Sequence, residues 1–184
     1  KQTLGQEINE NCLALSGEYV FVTTDNSRRE DPPSGRIYCL SLTDGSVVWA
    51  SEARIRWCGN LIVPNESALL AVISDVEGLV FVCLEKDTGR ELWRHTLDPS
   101  NGSSFQLAAS RETAVLLSKT SDRASVSLWR IDCGKQIHER PLPEVNWQCP
   151  QVVMDSSHVY VAGISWVMAF SHEGEDAWTT RLPE

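Results

Sequence analysis

The sequence has little positive charge and no long apolar run. Its 16 Lys and Arg residues face 25 Asp and Glu residues, for a formal net charge of −9. Nucleic acids and anionic membranes bind proteins through basic faces, so this balance disfavours both as partners. No stretch approaches the roughly 18–20 apolar residues that a membrane helix needs. The first residues, Lys1 to Glu7, also lack the apolar core of a signal peptide.

The cysteines are widely separated, which excludes a Cys-x-x-Cys zinc or redox motif. A chain this long and this apolar does not require disulfides for stability. We therefore expect free, mostly buried thiols, with disulfides as the alternative. Two Asn-x-Ser sequons, at Asn65 and Asn101, would suit a secreted chain. The expectation of free thiols favours a cytoplasmic or nuclear location, and the sequons leave a secretory or periplasmic one as the alternative. The six cysteines are Cys12, Cys39, Cys58, Cys83, Cys133 and Cys149.

Familiar catalytic motifs are also missing. The sequence has no His-Glu-x-x-His, no Gly-x-Ser-x-Gly elbow, no Walker loop and no Gly-x-Gly-x-x-Gly. The four histidines are scattered, as surface or turn histidines are, and the abundant serines fall in predicted turns. We expect no catalytic residue, no metal ion and no cofactor.

What the sequence does contain is a repeated hairpin. In its clearest copy, residues 78–93, a strand leads through a glycine-closed turn into a second strand that carries a tryptophan. Corresponding turn glycines follow one another after 44, 45 and 40 residues. Glycine suits such turns because it adopts positive φ without a Cβ clash. The turn glycines are Gly45, Gly89, Gly134 and Gly174, and the residues four positions later are Trp49, Trp93, His138 and Trp178.

Each repeat contains four short runs rich in β-branched and aromatic residues, which are typical of strands. A period of about 40–45 residues with four strands indicates a propeller blade. We predict an all-β fold: a β-propeller of four-stranded antiparallel blades at about residues 11–51, 57–97, 104–142 and 147–182. A two-sheet sandwich is the alternative, but it does not require the same residue at the same place in every repeat.

The hairpin sequences resemble one propeller family. Residues 39–49, and more closely residues 83–93, are similar to the Ala-Leu-Asp-x-x-Thr-Gly-x-x-x-Trp motif of pyrroloquinoline-quinone-like (quinoprotein-type) propellers. The third copy keeps Gly134 but has His138 in place of the tryptophan, and the fourth is one residue shorter before Gly174. The resemblance implies that the tryptophans dock one blade on the next. It also implies a ring of seven or eight blades, completed by the rest of the polypeptide or by a second copy.

The resemblance bears on chemistry as well. Enzymes of this type hold a quinone on the propeller axis with a vicinal cysteine pair, an acidic base and a calcium site. No two cysteines are adjacent here, so we expect no such cofactor.

The function that we predict is a non-catalytic scaffold that presents loops to a protein partner. One alternative is a quinoprotein-like enzyme or a small-molecule binder at the propeller axis. Another is a luminal or periplasmic sensor or assembly factor. The candidate interaction loop, residues 26–34, is longer than its counterparts and carries four adjacent charged residues, and a solvated insertion is the other interpretation. Those residues are Arg28, Arg29, Glu30 and Asp31.

Overall fold

A computed structural model of the chain describes residues 7–25, 33–98, 104–119, 123–143 and 150–182. These residues form sixteen strands in four separate four-stranded sheets. In each sheet the strands follow one another in sequence order and pair antiparallel, so each sheet is one blade. The predicted all-β propeller fold is therefore confirmed, and the number of blades in a complete ring stays a prediction. Among the described residues, no helix is long and apolar enough to span a membrane.

The chain divides into two compact units, residues 1–97 and 98–184. The first unit contains blades 1 and 2. Blade 1 consists of β1 (Glu7–Ser16), β2 (Tyr19–Asp25), β3 (Ile37–Ser41) and β4 (Val47–Ala50). Blade 2 consists of β5 (Trp57–Ile62), β6 (Ala68–Ser74), β7 (Leu79–Glu85) and β8 (Glu91–Thr96).

The first strand begins earlier than its apolar run suggests. The sequence predicts a strand from Cys12, whereas β1 begins at Glu7, whose partner in the ladder is Asp25. Backbone pairing with β2 extends the strand to Glu7, and the register shifts between Ile8 and Leu13.

The second unit contains blades 3 and 4. Blade 3 consists of β9 (Ser104–Ala109), β10 (Thr113–Lys119), β11 (Ala124–Arg130) and β12 (Gln136–Pro141). Blade 4 consists of β13 (Gln151–Met154), β14 (His158–Ala162), β15 (Trp166–Ser171) and β16 (Asp176–Arg181).

Blades 1 and 2 share one hydrophobic core. Four residues in register across blade 1 form what we call its front row: Ala14, Phe21, Cys39 and Trp49. The front row packs into the core with one face of blade 2, which we call the back face. Because side chains alternate across a strand, the front row and the back face of the same blade lie on opposite sides of its sheet. The back face of blade 2 contributes Cys58, Leu61, Leu69, Ala71, Ile73, Val80, Val82 and Leu84.

Trp49 forms the outer end of this interface. Its Nε1–H donates a hydrogen bond of 2.9 Å to the carbonyl oxygen of Lys86, in the turn between β7 and β8. Its indole ring lies over Gly89, where φ is +71° and a Cβ would collide with the ring. The tryptophan of blade 1 is thus held by the glycine turn of blade 2 through both a hydrogen bond and close ring contact.

Blades 3 and 4 repeat this arrangement. The front row of blade 3 is Ala108, Val115, Leu128 and His138, and its apolar members pack into a core with blade 4. The His138 ring lies over Gly174, where a Cβ would collide with the imidazole. His138 therefore occupies the place that Trp49 occupies in the first unit, with a smaller ring.

Arg140 adds polar contacts at the same junction. Its Nη2 lies 2.5 Å from Oδ1 of Asp176, and its Nη1 donates to the carbonyl oxygen of Gly174 at 3.4 Å. Its guanidinium also lies 5.2 Å from the centre of the Phe170 ring. These contacts tie β12 of blade 3 to the last hairpin of blade 4.

We predict that Gly89→Ala destabilises the protein much more than Gly17→Ala. Both glycines have positive φ, so both substitutions strain the backbone by about 1 kcal/mol. Only at Gly89 does the new methyl group meet the Trp49 ring, since nothing lies within 4 Å of the corresponding point at Gly17. We expect losses of about 3 kcal/mol for Gly89→Ala and about 1 kcal/mol for Gly17→Ala in urea denaturation. Equal losses would mean that the contact between ring and glycine carries no stability.

Candidate functional site

The predicted interaction residues 28–31 lie outside the described residues, so their role stays a prediction. The structure does place most of the repeated hairpin residues. The turn glycines have φ values between +66° and +88°, as tight hairpins require. Trp93 packs edge-on against Phe81, with ring centres 5.1 Å apart. Trp178 lies 6.2 Å from the Tyr160 ring, and 46% of its surface is exposed.

Among the described residues, the first unit contains a groove. It has a volume of about 680 Å³ and lies between the end of β4 and the hairpin of β7 and β8. Charged side chains of both signs line it. The lining residues are 50–53, Leu84, 88–91 and Arg94.

Short hydrogen bonds fix the hairpin wall of the groove. The Gly89 amide donates to the carbonyl of Glu85 at 2.8 Å, and the Glu85 amide donates to the carbonyl of Arg90 at 2.7 Å. The Thr88 hydroxyl donates to the Glu85 carboxylate at 2.5 Å. This bond, together with those from Arg90, lowers the pKa of Glu85 below its ordinary value. The carboxylate is therefore ionised at neutral pH and stiffens the turn that Trp49 holds.

The opposite wall is equally ordered. Ser51 is buried, and its hydroxyl accepts from the amide of Ile37 at 3.0 Å and donates to the carbonyl of Ala53 at 3.0 Å. Arg36 donates to the carbonyl of Ser51 at 2.8 Å. The backbone of residues 51–53 is thus tied to β3, while Glu52 remains exposed at the groove.

Arg94 is the centre of an ion-pair cluster at the edge of blade 2. Its guanidinium donates to Asp75 at 2.9 Å, to Glu77 at 2.9 Å and to Glu91 at 2.7 Å. Hydrogen bonding to Glu91, and then to Glu77, raises the pKa of Arg94 above its ordinary value. Only 3% of the Asp75 side chain is exposed, so its carboxylate depends on Arg94 and on the amide of Glu77 for compensation.

The cysteines of the blade cores are not activated nucleophiles. Burial raises the pKa of Cys39 to about 11 and that of Cys83 to about 12. Burial also raises the pKa of Cys58 well above its ordinary value, while Cys12 donates from its thiol to the Cys58 carbonyl at 2.9 Å. A reactive cysteine needs a lowered pKa and access to solvent, and these side chains are buried. They act as small apolar residues of the core.

The described residues do not match the ligand set of a quinone cofactor. Within them, no three His, Cys, Asp or Glu side chains come together in a way that could hold a metal ion. No two cysteines are adjacent in the sequence, so a vicinal pair is missing as well.

Comparison with known families assigns the repeat. A family model described as outer membrane protein assembly factor BamB matches residues 76–184, more than half of the chain. The chain belongs to this family, PQQ_2. The resemblance to PQQ-like propellers that the hairpin motif indicates is thereby confirmed. No curated protein matches the sequence of this PQQ_2 chain.

Solved structures resemble this PQQ_2 chain in fold. The computationally designed Ika8 protein matches 96% of it with a TM-score of 0.69 and 12% identity, and the match spans 50% of the Ika8 chain. The designed Ika4 protein matches 92% of it, at a TM-score of 0.64 and 15% identity, over 94% of the Ika4 chain. A europium-containing methanol dehydrogenase matches 92% of it, at a TM-score of 0.65 and 12% identity, over 41% of the enzyme. The chain therefore spans half or less of the Ika8 and dehydrogenase chains.

Sequence reasoning missed the groove and the Arg94 cluster. Asp75 and Arg94 are 19 residues apart and meet only because β6, β7 and β8 are neighbours in blade 2. The available signal was the dense charge around the second turn, where Glu85, Lys86, Asp87, Arg90 and Glu91 surround Gly89.

We predict that Arg94→Met destabilises the protein by about 2 kcal/mol, because it leaves the buried Asp75 carboxylate without its counter-ion. The matched variant Arg90→Met should cost less than about 1 kcal/mol, since Arg90 is 67% exposed and pairs with Glu85 at the surface. Midpoints of urea denaturation measure both. Losses of equal size would show that Arg94 does not compensate a buried charge.

We also predict that the thiols differ sharply in reactivity. In the folded protein, iodoacetamide should label the exposed Cys133 quickly, whereas Cys39, Cys58 and Cys83 should react far more slowly because burial closes them off and raises their pKa. Peptide mass spectrometry follows each site separately. In denaturant without reductant, all six cysteines should react. Fast labelling of Cys39 or Cys83 in the folded protein would contradict their placement in the core.

Proposed function

We propose that this chain is a non-catalytic β-propeller scaffold that binds a segment of a protein partner in the groove of blades 1 and 2. The observation that carries the proposal is the groove itself, whose two walls are hydrogen-bonded and whose lining carries charges of both signs. Protein-binding surfaces commonly combine apolar area with arginine and oriented backbone groups.

The charges of the groove suit a peptide that carries both signs. Arg90, which pairs with Glu85, and Glu52 are both exposed and line the groove, so a partner can reach both charges. The guanidinium of Arg94 already donates to three carboxylates. We therefore expect Arg94 to contribute to the shape and the electrostatic field of the groove more than to hydrogen bonding with a partner. Membership of a family whose model is described as an assembly factor is consistent with a binding role.

Site-specific photocrosslinking tests this proposal. A photoreactive phenylalanine in place of Glu52 should give a discrete protein adduct in cells of the source organism. The same residue in place of Glu112, an exposed turn position of blade 3, is the control and should not give that adduct. Arg90→Glu should abolish the adduct at position 52, and circular dichroism checks that this variant folds. Adducts of equal yield at positions 52 and 112 would contradict a partner site in the groove.

A quinoprotein-like enzyme or axial small-molecule binder is the competing function. Adding the quinone and calcium to the purified protein distinguishes it. A chromophore that stays bound at one equivalent through gel filtration would overturn the non-catalytic assignment, even if the groove also binds a partner. A luminal or periplasmic assembly factor is a third possibility, and six free thiols on denaturation would count against that oxidising location.

A further inference from the structure

Two cysteines of neighbouring blades meet inside the core of the first unit. Cys12 lies on β1 of blade 1 and Cys58 lies on β5 of blade 2, and their side chains are 0% and 1% exposed. The Cys12 thiol donates a hydrogen bond of 2.9 Å to the carbonyl oxygen of Cys58. Burial and then contact with the Cys12 thiol raise the pKa of Cys58. The two thiols are therefore direct neighbours across the interface of the two blades.

Irregular strand pairing accompanies this contact on both sides. The ladder of β1 and β2 shifts register between Ile8 and Leu13, in the stretch that contains Cys12. The ladder of β5 and β6 shifts between Cys58 and Asn60, where one extra residue forms a bulge. The Cys58 thiol donates to the carbonyl of Asn60 across this bulge at 3.4 Å. Because bulges re-aim side chains, two separate irregularities converge on one pair of thiols.

A buried hydroxyl lies beside the pair. Thr23 is 0% exposed, and its Oγ1 has no oxygen or nitrogen partner among the described residues. Burial raises the pKa of Cys58, whereas the Thr23 hydroxyl and the backbone of Asn60 lower it. A hydroxyl next to a thiolate favours the charged form, which is the form that attacks a disulfide. Cys58 is therefore the thiol of the pair whose surroundings assist that reaction.

The other buried cysteines of this unit show no such pairing among the described residues. Cys39 belongs to the same core, but after burial the groups that shift its pKa are Asp87 and Lys86 rather than a thiol. Burial alone raises the pKa of Cys83. The contact between thiols is thus specific to Cys12 and Cys58.

We propose that Cys12 and Cys58 form a disulfide under oxidising conditions and that this bond locks blade 1 onto blade 2. The oxidant is a small disulfide of the oxidised glutathione class. The Cys58 thiolate attacks one sulfur of the oxidant, which forms a mixed disulfide and releases one reduced glutathione. The Cys12 thiolate then attacks the Cys58 sulfur, which forms the bond between the blades and releases the second glutathione. Two protein thiols are thereby oxidised, and oxidised glutathione gains their two electrons and two protons.

The bond fastens the interface at the edge of the sheets away from Trp49. Trp49 ties β4 to the turn between β7 and β8, whereas the bond ties β1 to β5, the first strands of the two blades. The cysteines are 46 residues apart in the sequence, and a cross-link over a loop of this length restricts the unfolded chain. Because both thiols are buried, the oxidant reaches them only when the blades separate transiently, so the reaction is slow in the folded protein.

This inference does not rest on the proposed function. The thiol pair lies in the core, and neither cysteine lines the groove. Failure of the disulfide to form leaves the crosslinking experiment at Glu52 unaffected, and the reverse is also true.

Oxidation of the purified, reduced chain tests the proposal. The chain is incubated with oxidised glutathione, both without urea and in urea just below the unfolding transition. Peptide mass spectrometry without reductant should find the Cys12 peptide joined to the Cys58 peptide, and urea should speed formation of the same bond. The tryptic peptide 57–86 also carries Cys83, so its fragment ions assign the bond. The exposed Cys133 should carry glutathione instead.

Urea denaturation then measures the effect on stability. The bond should raise the midpoint by about 1 M, and a reductant should reverse the rise. Cys12→Ala and Cys58→Ala should each abolish both the linked peptide and the rise. Cys39→Ala is the matched control, because it removes a buried thiol from the same core but not from the pair, and it should keep both. Circular dichroism checks that each variant folds before oxidation.

Three results would overturn the proposal. One is the absence of the linked peptide from both incubations of the unaltered chain, a result that depends on no variant. Another is a bond from Cys12 to Cys39 or Cys83 in place of Cys58. The third is a linked peptide whose formation leaves the midpoint unchanged, because the bond would then not lock the blades together.

Discussion

The architecture depends on one repeated contact, in which a ring on the outer strand of one blade lies over the glycine turn of the next. The contact requires a turn without a Cβ, a flat ring four residues after the preceding turn, and a carbonyl placed to accept from that ring. Trp49 and Gly89 satisfy all three conditions, and the hydrogen bond to the Lys86 carbonyl ties the two blades together. Sheets in a propeller share no hydrogen-bonded ladder, so contacts of this kind determine how blades stack.

The same contact organises the candidate site. Because Trp49 holds the hairpin of β7 and β8 against the end of β4, the space beside it becomes a groove with two ordered walls. Arg94 and Glu91 line it, and Arg94 is also paired with Asp75 and Glu77. The groove therefore lies where the two blades stack.

Much of the fold could be predicted from local sequence. The turn glycines predict where the hairpins lie, and the residue four positions after each glycine predicts which side chain supplies the ring. These glycines are Gly45, Gly89, Gly134 and Gly174. The groove could not be predicted, because the distance between Glu52 and Arg90 depends on how two sheets pack rather than on either sheet. His138 shows the limit of reasoning from residue type. Losing the tryptophan suggests a blade that packs differently, but the imidazole takes the same place over Gly174.

Within each unit, one blade supplies a ring and the next blade receives it, and this pairing constrains how such a chain can change in length. Removing or adding a whole repeat preserves a ring and a turn at every junction. Removing half a repeat leaves a ring without a turn, or a turn without a ring, and exposes an apolar sheet face at the break. Insertion or deletion of one whole blade, with breakpoints in the loops between blades, is therefore the change in length that the fold tolerates best.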